Sequence, residues 1–152
     1  MDTLGPLYRY FLGHWSLQRR FLYERGGATG RMVGSAMFAP WFGTTLLYTE
    51  KGTLRLDGGQ RLDTFQRYAY ACCRREVTLH FVTDRQRRTL RPFCTLRFEP
   101  SDTARAEHAC QQDHYRGRFE LVSPSGYHTL WRVCGPTKRG YIETNYTHQC
   151  AG

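Results

Sequence analysis

From Trp15 onward the chain adopts a two-residue period and keeps returning to it. Trp15, Leu17, Arg19, Phe21 and Tyr23 alternate with Ser16, Gln18, Arg20 and Leu22, so in an extended segment the two sets leave opposite faces. Similar runs follow at Met32 to Ala39, Thr44 to Glu50, Arg67 to Cys73, Val77 to Val82 and Thr89 to Phe98. They continue at Arg105 to Cys110, Tyr115 to Val122, Tyr127 to Cys134 and Tyr141 to His148. Turn signals separate them: Gly26-Gly27-Ala28-Thr29-Gly30, Pro40-Trp41-Phe42-Gly43, Lys51-Gly52 and Asp57-Gly58-Gly59. So many short strands, with few helices to cover a flat sheet, are best accommodated by closing the sheet on itself. The predicted fold is all-β, a closed antiparallel barrel of about eight to ten strands that encloses either packed side chains or one small ligand.

The segment before this pattern is different. Leu4, Leu7, Tyr8, Phe11 and Leu12 have helix-like spacing after a cap residue at Thr3, and Pro6 is tolerated in a first turn. A short N-terminal helix or lid over residues 3–12 is expected. A chain of 152 residues suits one domain with its own core and not two; residues 1–152 are read as that domain.

Charge is the next constraint. The formal net charge of +9 comes from 20 Arg and 2 Lys against 13 acids, a balance that favours phosphate backbones or anionic lipid. The basic residues are scattered, however, and the densest run, Arg85 to Arg91, falls where a hairpin turn is expected, so a solvated tip accounts for it. Nucleic-acid contact is kept as a third reading. Six cysteines, two of them adjacent at Cys72 and Cys73, include no Cys-x-x-Cys and signal neither a zinc site nor a disulfide framework. The start of the chain lacks a secretory pattern, and no stretch approaches ~18 apolar residues. A cytoplasmic protein with free thiols and no membrane partner is the expectation, and self-association into a homo-oligomer stays open.

Leu12-Gly13-His14-Trp15 places Gly-x-Trp at the entrance to the first long strand, similar to the signature that opens lipocalin-type barrels, where the Trp closes the barrel floor. Further blocks are Gly34-x-Ala36-x-Phe38, Leu47-Tyr48-x-Glu50-x-Gly52, Arg67-Tyr68, His108-x-Cys110-x-x-Asp113-x-Tyr115-x-Gly117 and Trp131-x-Val133-x-Gly135-Pro136-x-Lys138. In order and spacing these resemble the uncharacterised family named domain of unknown function 6314, from roughly Leu12 to Tyr146. The resemblance implies a lipocalin-like, calycin-type barrel and a set of positions, with no activity attached. Thr144-x-Tyr146-x-His148 departs from it, with His148 where that family would be expected to carry Arg, which puts an anion clamp from the last strand in doubt.

The candidate ligand-binding residues are Arg19, Tyr48, Arg67, His108, Asp113, Tyr115, Trp131, Lys138 and Tyr146. Arg19 shares a strand face with Trp15 and Leu17, so it is a buried cation that must find a partner. His108 and Cys110 leave one face, with Asp113 and Tyr115 beyond a Gln111-Gln112 turn. An imidazole near a carboxylate can act as general base and a phenol can steady an oxyanion. The same residues can equally orient a ligand, or serve the fold as turn-former, rim packing and core histidine. Lys138 follows Gly135-Pro136 and points either over the barrel mouth or into water. Tyrosines and Trp131 offer apolar walls with hydroxyl donors. No phosphate loop, nucleophile elbow, dinucleotide fingerprint or four-ligand metal set is present, and no cofactor is called for. The leading expectation is a barrel that holds an anionic or polar aromatic molecule. A cofactor-independent isomerase, cyclase or hydrolase using His108, Asp113, Tyr115 and Lys138 is the alternative.

Overall fold

A computed structural model describes residues 4–82 and 90–149. After helix α1 (Gly5–Phe11) come ten antiparallel strands: β1 (Gly13–Arg25), β2 (Gly30–Phe42), β3 (Thr45–Leu56), β4 (Arg61–Cys73), β5 (Glu76–Val82), β6 (Leu90–Arg97), β7 (Thr103–Cys110), β8 (Asp113–Ser123), β9 (Gly126–Cys134) and β10 (Arg139–His148). The hydrogen-bonded order is β6-β5-β4-β3-β2-β1-β10-β9-β8-β7. Every neighbour but one is a sequence neighbour, and the ring is joined through β1 and β10, where Leu17 pairs with Tyr146 and Arg19 with Thr144. Among the described residues β6 and β7 share no ladder, so the barrel is nearly closed, with one seam.

Two expected turns are strand. Lys51-Gly52 lies inside β3, where Lys51 faces Ser35 and Gly52 faces Gly34 on one side, and Gly52 faces Thr64 on the other. The glycine serves close approach between strands: a side chain at Gly52 would run into the Met32 methyl and the backbone of Val33. Likewise β2 continues through Pro40 to Phe42, with a register shift between them, before the chain turns. Asp57-Gly58-Gly59 is a turn, held by Gly59 N–H to Leu56 O at 2.8 Å. Of the Arg85–Arg91 run only Leu90 and Arg91 are described, both in β6, and the proposed cap Thr3 lies outside the described residues.

One end of the barrel is plugged. The α1 face carrying Leu7, Tyr8 and Phe11 is buried, with Phe11 and Trp15 fully inaccessible. The Trp15 indole N–H donates to Phe11 O at 2.8 Å, and Trp15 meets Tyr127 edge to face at 4.9 Å. Gly13 makes the helix-to-strand turn with φ +114°, a conformation that L side chains rarely adopt. Burying each such aromatic contributes about 1.5–3 kcal/mol, which makes α1 a floor for the barrel. The opposite end, where β1–β2, β3–β4, β7–β8 and β9–β10 are joined, is the mouth. Among the described residues no helix is long and apolar enough to cross a membrane, and Cys72, Cys73, Cys94, Cys110 and Cys134 are all free.

Candidate functional site

Alternation sends one face of every strand inward, and between the aromatic floor and the mouth these side chains leave a cavity of about 220 Å³. Its walls are largely aromatic: Phe21, Tyr68, Tyr70, Phe93, Phe119 and Trp131 among them. The polar end is built from three strands, β1, β3 and β10. Arg19 of β1 places Nη2 2.7 Å from Glu50 Oε1 and Nη1 2.9 Å from Oε2, a bidentate pair. Its Nε donates to Thr144 Oγ1 of β10 at 2.8 Å, and Nη2 also reaches the Tyr146 hydroxyl at 3.0 Å. The Tyr48 hydroxyl donates to Glu50 Oε1 at 2.5 Å and lies 3.1 Å from that of Tyr146.

These groups sit out of water, the Arg19 side chain 11% and the Glu50 side chain 2% exposed. Charges taken so far from solvent persist only when paired and hydrogen-bonded. Burial works against the Arg19 charge, but Tyr146 and Glu50 outweigh it and hold the guanidinium pKa above its ordinary value. Burial pushes the phenols the other way from easy ionisation. Tyr48 and Tyr70 lie well above the usual tyrosine value, and Tyr68 is raised to about 12, with Glu50 adding to the effect of burial. The walls therefore present neutral hydroxyls and π faces at any ordinary pH.

Of the nine residues expected from sequence, Arg19, Tyr48, Tyr115, Trp131 and Tyr146 line this cavity. His108 is on the inner side of β7 but packs into the aromatic ring set, 4.4 Å from Phe93, 5.9 Å from Phe81 and 6.3 Å from Tyr115. The Asp113 carboxylate, at the mouth, is within 3.3 Å of the Thr137 hydroxyl of the β9–β10 turn. Lys138 belongs to that turn, where its carbonyl accepts from Gly135 N–H at 2.9 Å, and its stem passes beside Gly26. Arg67 is on the other face of β4 from Gln66 and Tyr68, with its guanidinium 5.2 Å over the Phe65 ring. His148, at the closed end, approaches Leu12 O at 3.0 Å and packs edge-on to Trp15. The expected acid–base quartet is thus not gathered on the cavity, which receives Tyr115 alone.

Glu50 was missing from the sequence-derived set, although the partner that Arg19 required had to be an acid on an inward face. The signal was Tyr48-x-Glu50, two residues apart on one strand. Because β3 runs on to Leu56, Glu50 lies inside a strand and not beside a turn. Gly117 is a second such residue: a Cβ there would come within 2.6 Å of the Trp131 ring, so the glycine lets the indole lie flat over β8 and form a cavity wall.

A family model described as a family of unknown function, DUF6314, matches residues 11–148. No curated protein matches the sequence. Among solved structures, the S-type phycobiliprotein lyase CPES of Guillardia theta superposes with a TM-score of 0.71 at 7% identity, covering 96% of this chain and 92% of that one. A protein of unknown function from the DUF3598 family of Nostoc punctiforme gives a TM-score of 0.62 at 9% identity, covering 93% of this chain and 49% of its own. At such identities the likeness is one of fold.

Proposed function

Since the chain belongs to the DUF6314 family, whose name carries no activity, we propose from the barrel itself that it binds a small, flat organic molecule between the floor and the mouth. The observation that carries this reading is the cavity: a barrel of this size can fill its interior, yet here aromatic walls and a buried, hydrogen-bonded ion pair surround about 220 Å³ of space. That is somewhat below the ~300–1,000 Å³ usual for drug-sized ligands. The cavity accommodates one ring system, or the inner end of a longer molecule that continues to the mouth. Residues from strands remote in sequence converge on it, as a ligand site requires. The lyase that shares the fold acts, by its name, on phycobiliproteins, and the fold alone carries over.

The assignment of catalysis to His108, Asp113, Tyr115 and Lys138 gains no support from their placement, and a cytoplasmic location rests on the sequence pattern alone. The nucleic-acid reading has one observation in its favour. Exposed Arg105 and Arg118 face each other across β7 and β8, as do Arg116 and Arg132 across β8 and β9, like-charge pairs that would welcome an anion. The cavity has the stronger claim because its side chains are buried at a cost that surface arginines do not bear.

N-phenyl-1-naphthylamine, a neutral probe that brightens in apolar surroundings, is expected to bind with one-to-one stoichiometry. Ile142→Trp, at a half-buried wall position, should abolish the signal by filling the space while leaving the melting temperature within a few degrees. Unchanged binding in that variant would place the probe elsewhere and remove the basis for the reading.

A further inference from the structure

The polar end of the cavity can be read hydrogen by hydrogen. Arginine has five N–H donors and no acceptor. In Arg19, Nε–H goes to Thr144 Oγ1 at 2.8 Å. Nη1 reaches Glu50 Oε2 at 2.9 Å and Met32 Sδ at 3.7 Å, and Nη2 reaches Glu50 Oε1 at 2.7 Å and the Tyr146 hydroxyl at 3.0 Å. Five directions are taken by five acceptors. The single Tyr48 hydroxyl hydrogen is committed to Glu50 Oε1. The 3.1 Å contact between Tyr48 and Tyr146 must then have Tyr146 donating, which commits its hydrogen too. The Thr144 hydroxyl hydrogen, on a neutral group, is the one donor of this cluster without an assigned acceptor.

Acceptor capacity, by contrast, is left over. A carboxylate engaged by both arms of a guanidinium is ionised and offers about four lone-pair directions. Oε1 of Glu50 serves Arg19 and Tyr48, whereas Oε2 serves Arg19 alone, and Glu50 lines the cavity. The ion pair is neutral as a unit, so an anion approaching it meets a saturated guanidinium and an unsaturated carboxylate. Fully desolvated, the wrong polarity at such a contact leaves groups unpaired and is strongly disfavoured.

We infer that the ligand of this barrel presents a hydrogen-bond donor at its inner end, a neutral or cationic N–H or O–H on a flat conjugated system, aimed at Glu50 Oε2. The chemical class is that of amidines, primary aromatic amines and azoles, whose N–H groups are terminal, and carboxylates or phosphates are disfavoured against Glu50. This runs opposite to the preference for anions that an arginine in the interior suggests by itself, and it rests on the proposal that the barrel binds a small molecule. The whole-protein charge of +9 attracts anions at long range, so the local network and the global field predict opposite orders, which makes the test decisive.

Benzamidine, benzamide and benzoate share a ring and differ in polarity. Titrated calorimetrically at moderate salt, benzamidine should bind at least ten-fold tighter than benzoate, with benzamide between them. Tyr146→Phe removes the acceptor of one Arg19 Nη2–H and turns that donor loose, so benzoate should gain and the benzamidine-to-benzoate ratio should fall at least three-fold. Should that variant prove unstable, Arg19→Met combined with Glu50→Gln removes both charges together, and the preference for benzamidine over benzoate should vanish. Benzoate equal to or tighter than benzamidine in the native protein overturns the inference and leaves the binding reading intact. N-phenyl-1-naphthylamine binding with none of the three ring probes bound overturns it as well. Failure of all four probes overturns both.

Discussion

Arg19 and Glu50 are 31 residues apart in the chain and less than 3 Å apart in the barrel, and the local character of each depends on the other. Removing one member of such a pair strands a buried charge, typically at about 3–5 kcal/mol, so the network is at once structural and a lining of the site. Cysteines show the same dependence on surroundings. Burial pushes the Cys72 and Cys94 thiols up to about 12, which leaves a thiolate fraction of about 10⁻⁴ at pH 8, whereas Cys73, Cys110 and Cys134 are exposed. Iodoacetamide at pH 8 should therefore modify those three well before Cys72 and Cys94, as read by peptide mass spectrometry. Rapid labelling of Cys72 in folded protein would show that the wall of β4 is open to solvent.

At the scale of elements, strands β6 and β7 are the exception in an otherwise continuous ladder. Pro92 in β6 has no N–H to give, and β5–β6 carries a register shift between Leu79 and His80. The seam is bridged by side chains instead: Phe93 against His108 toward the mouth, and toward the floor Arg75, whose guanidinium donates to Phe98 O at 3.0 Å and pairs with Asp102 at 3.0 Å. Ring contacts and an exposed ion pair hold less firmly than a ladder. Hydrogen exchange should accordingly find the β6 and β7 amides less protected than those of β1 and β10, which are paired on both sides. Equal protection would mean that the seam is closed in solution. Because Phe93 of β6 and Tyr115 of β8 both line the cavity, motion at this seam would be felt by a bound molecule.

The whole molecule has a polarity from floor to mouth, with tightly packed rings below and half-exposed rings above, and tyrosines throughout. Burial raises Tyr48, Tyr70 and Tyr127 well above the usual value and Tyr146 and Tyr23 less far, and it takes Tyr10 and Tyr68 to about 12. In the unfolded chain the same phenols ionise near 10. A folded-state pKa raised above the unfolded one contributes stability that is complete below about pH 10 and is lost as pH rises from there through 12. The protein is expected to keep its melting temperature up to about pH 10 and then lose it steeply. Absorbance near 295 nm should show the buried phenols ionising together with unfolding. Reversible titration of most tyrosines near 10 in a still-folded protein would contradict the packed interior.

Some of this was legible in one dimension because its causes are local. The two-residue period from Trp15 to Tyr23 and its successors set strand faces, Asp57-Gly58-Gly59 marked a hairpin, and Leu7, Tyr8 and Phe11 marked a helical face. Arg19, inward by parity, announced a need for a partner. Tertiary structure alone decided the rest. Which acid answers Arg19 depends on the register of β1, β2 and β3, through Ala36 opposite both Trp15 and Glu50. Whether Lys51-Gly52 turns or continues depends on Gly34 lying across from it. His108, Asp113 and Lys138 look like one chemical set in sequence, yet strand tilt and closure distribute them between the seam and the mouth. Side-chain alternation is a property of two adjacent peptide units, whereas closure and the pairing of buried charges depend on contacts among many strands. A ring of donors and acceptors can be counted only after the barrel has brought its ends together.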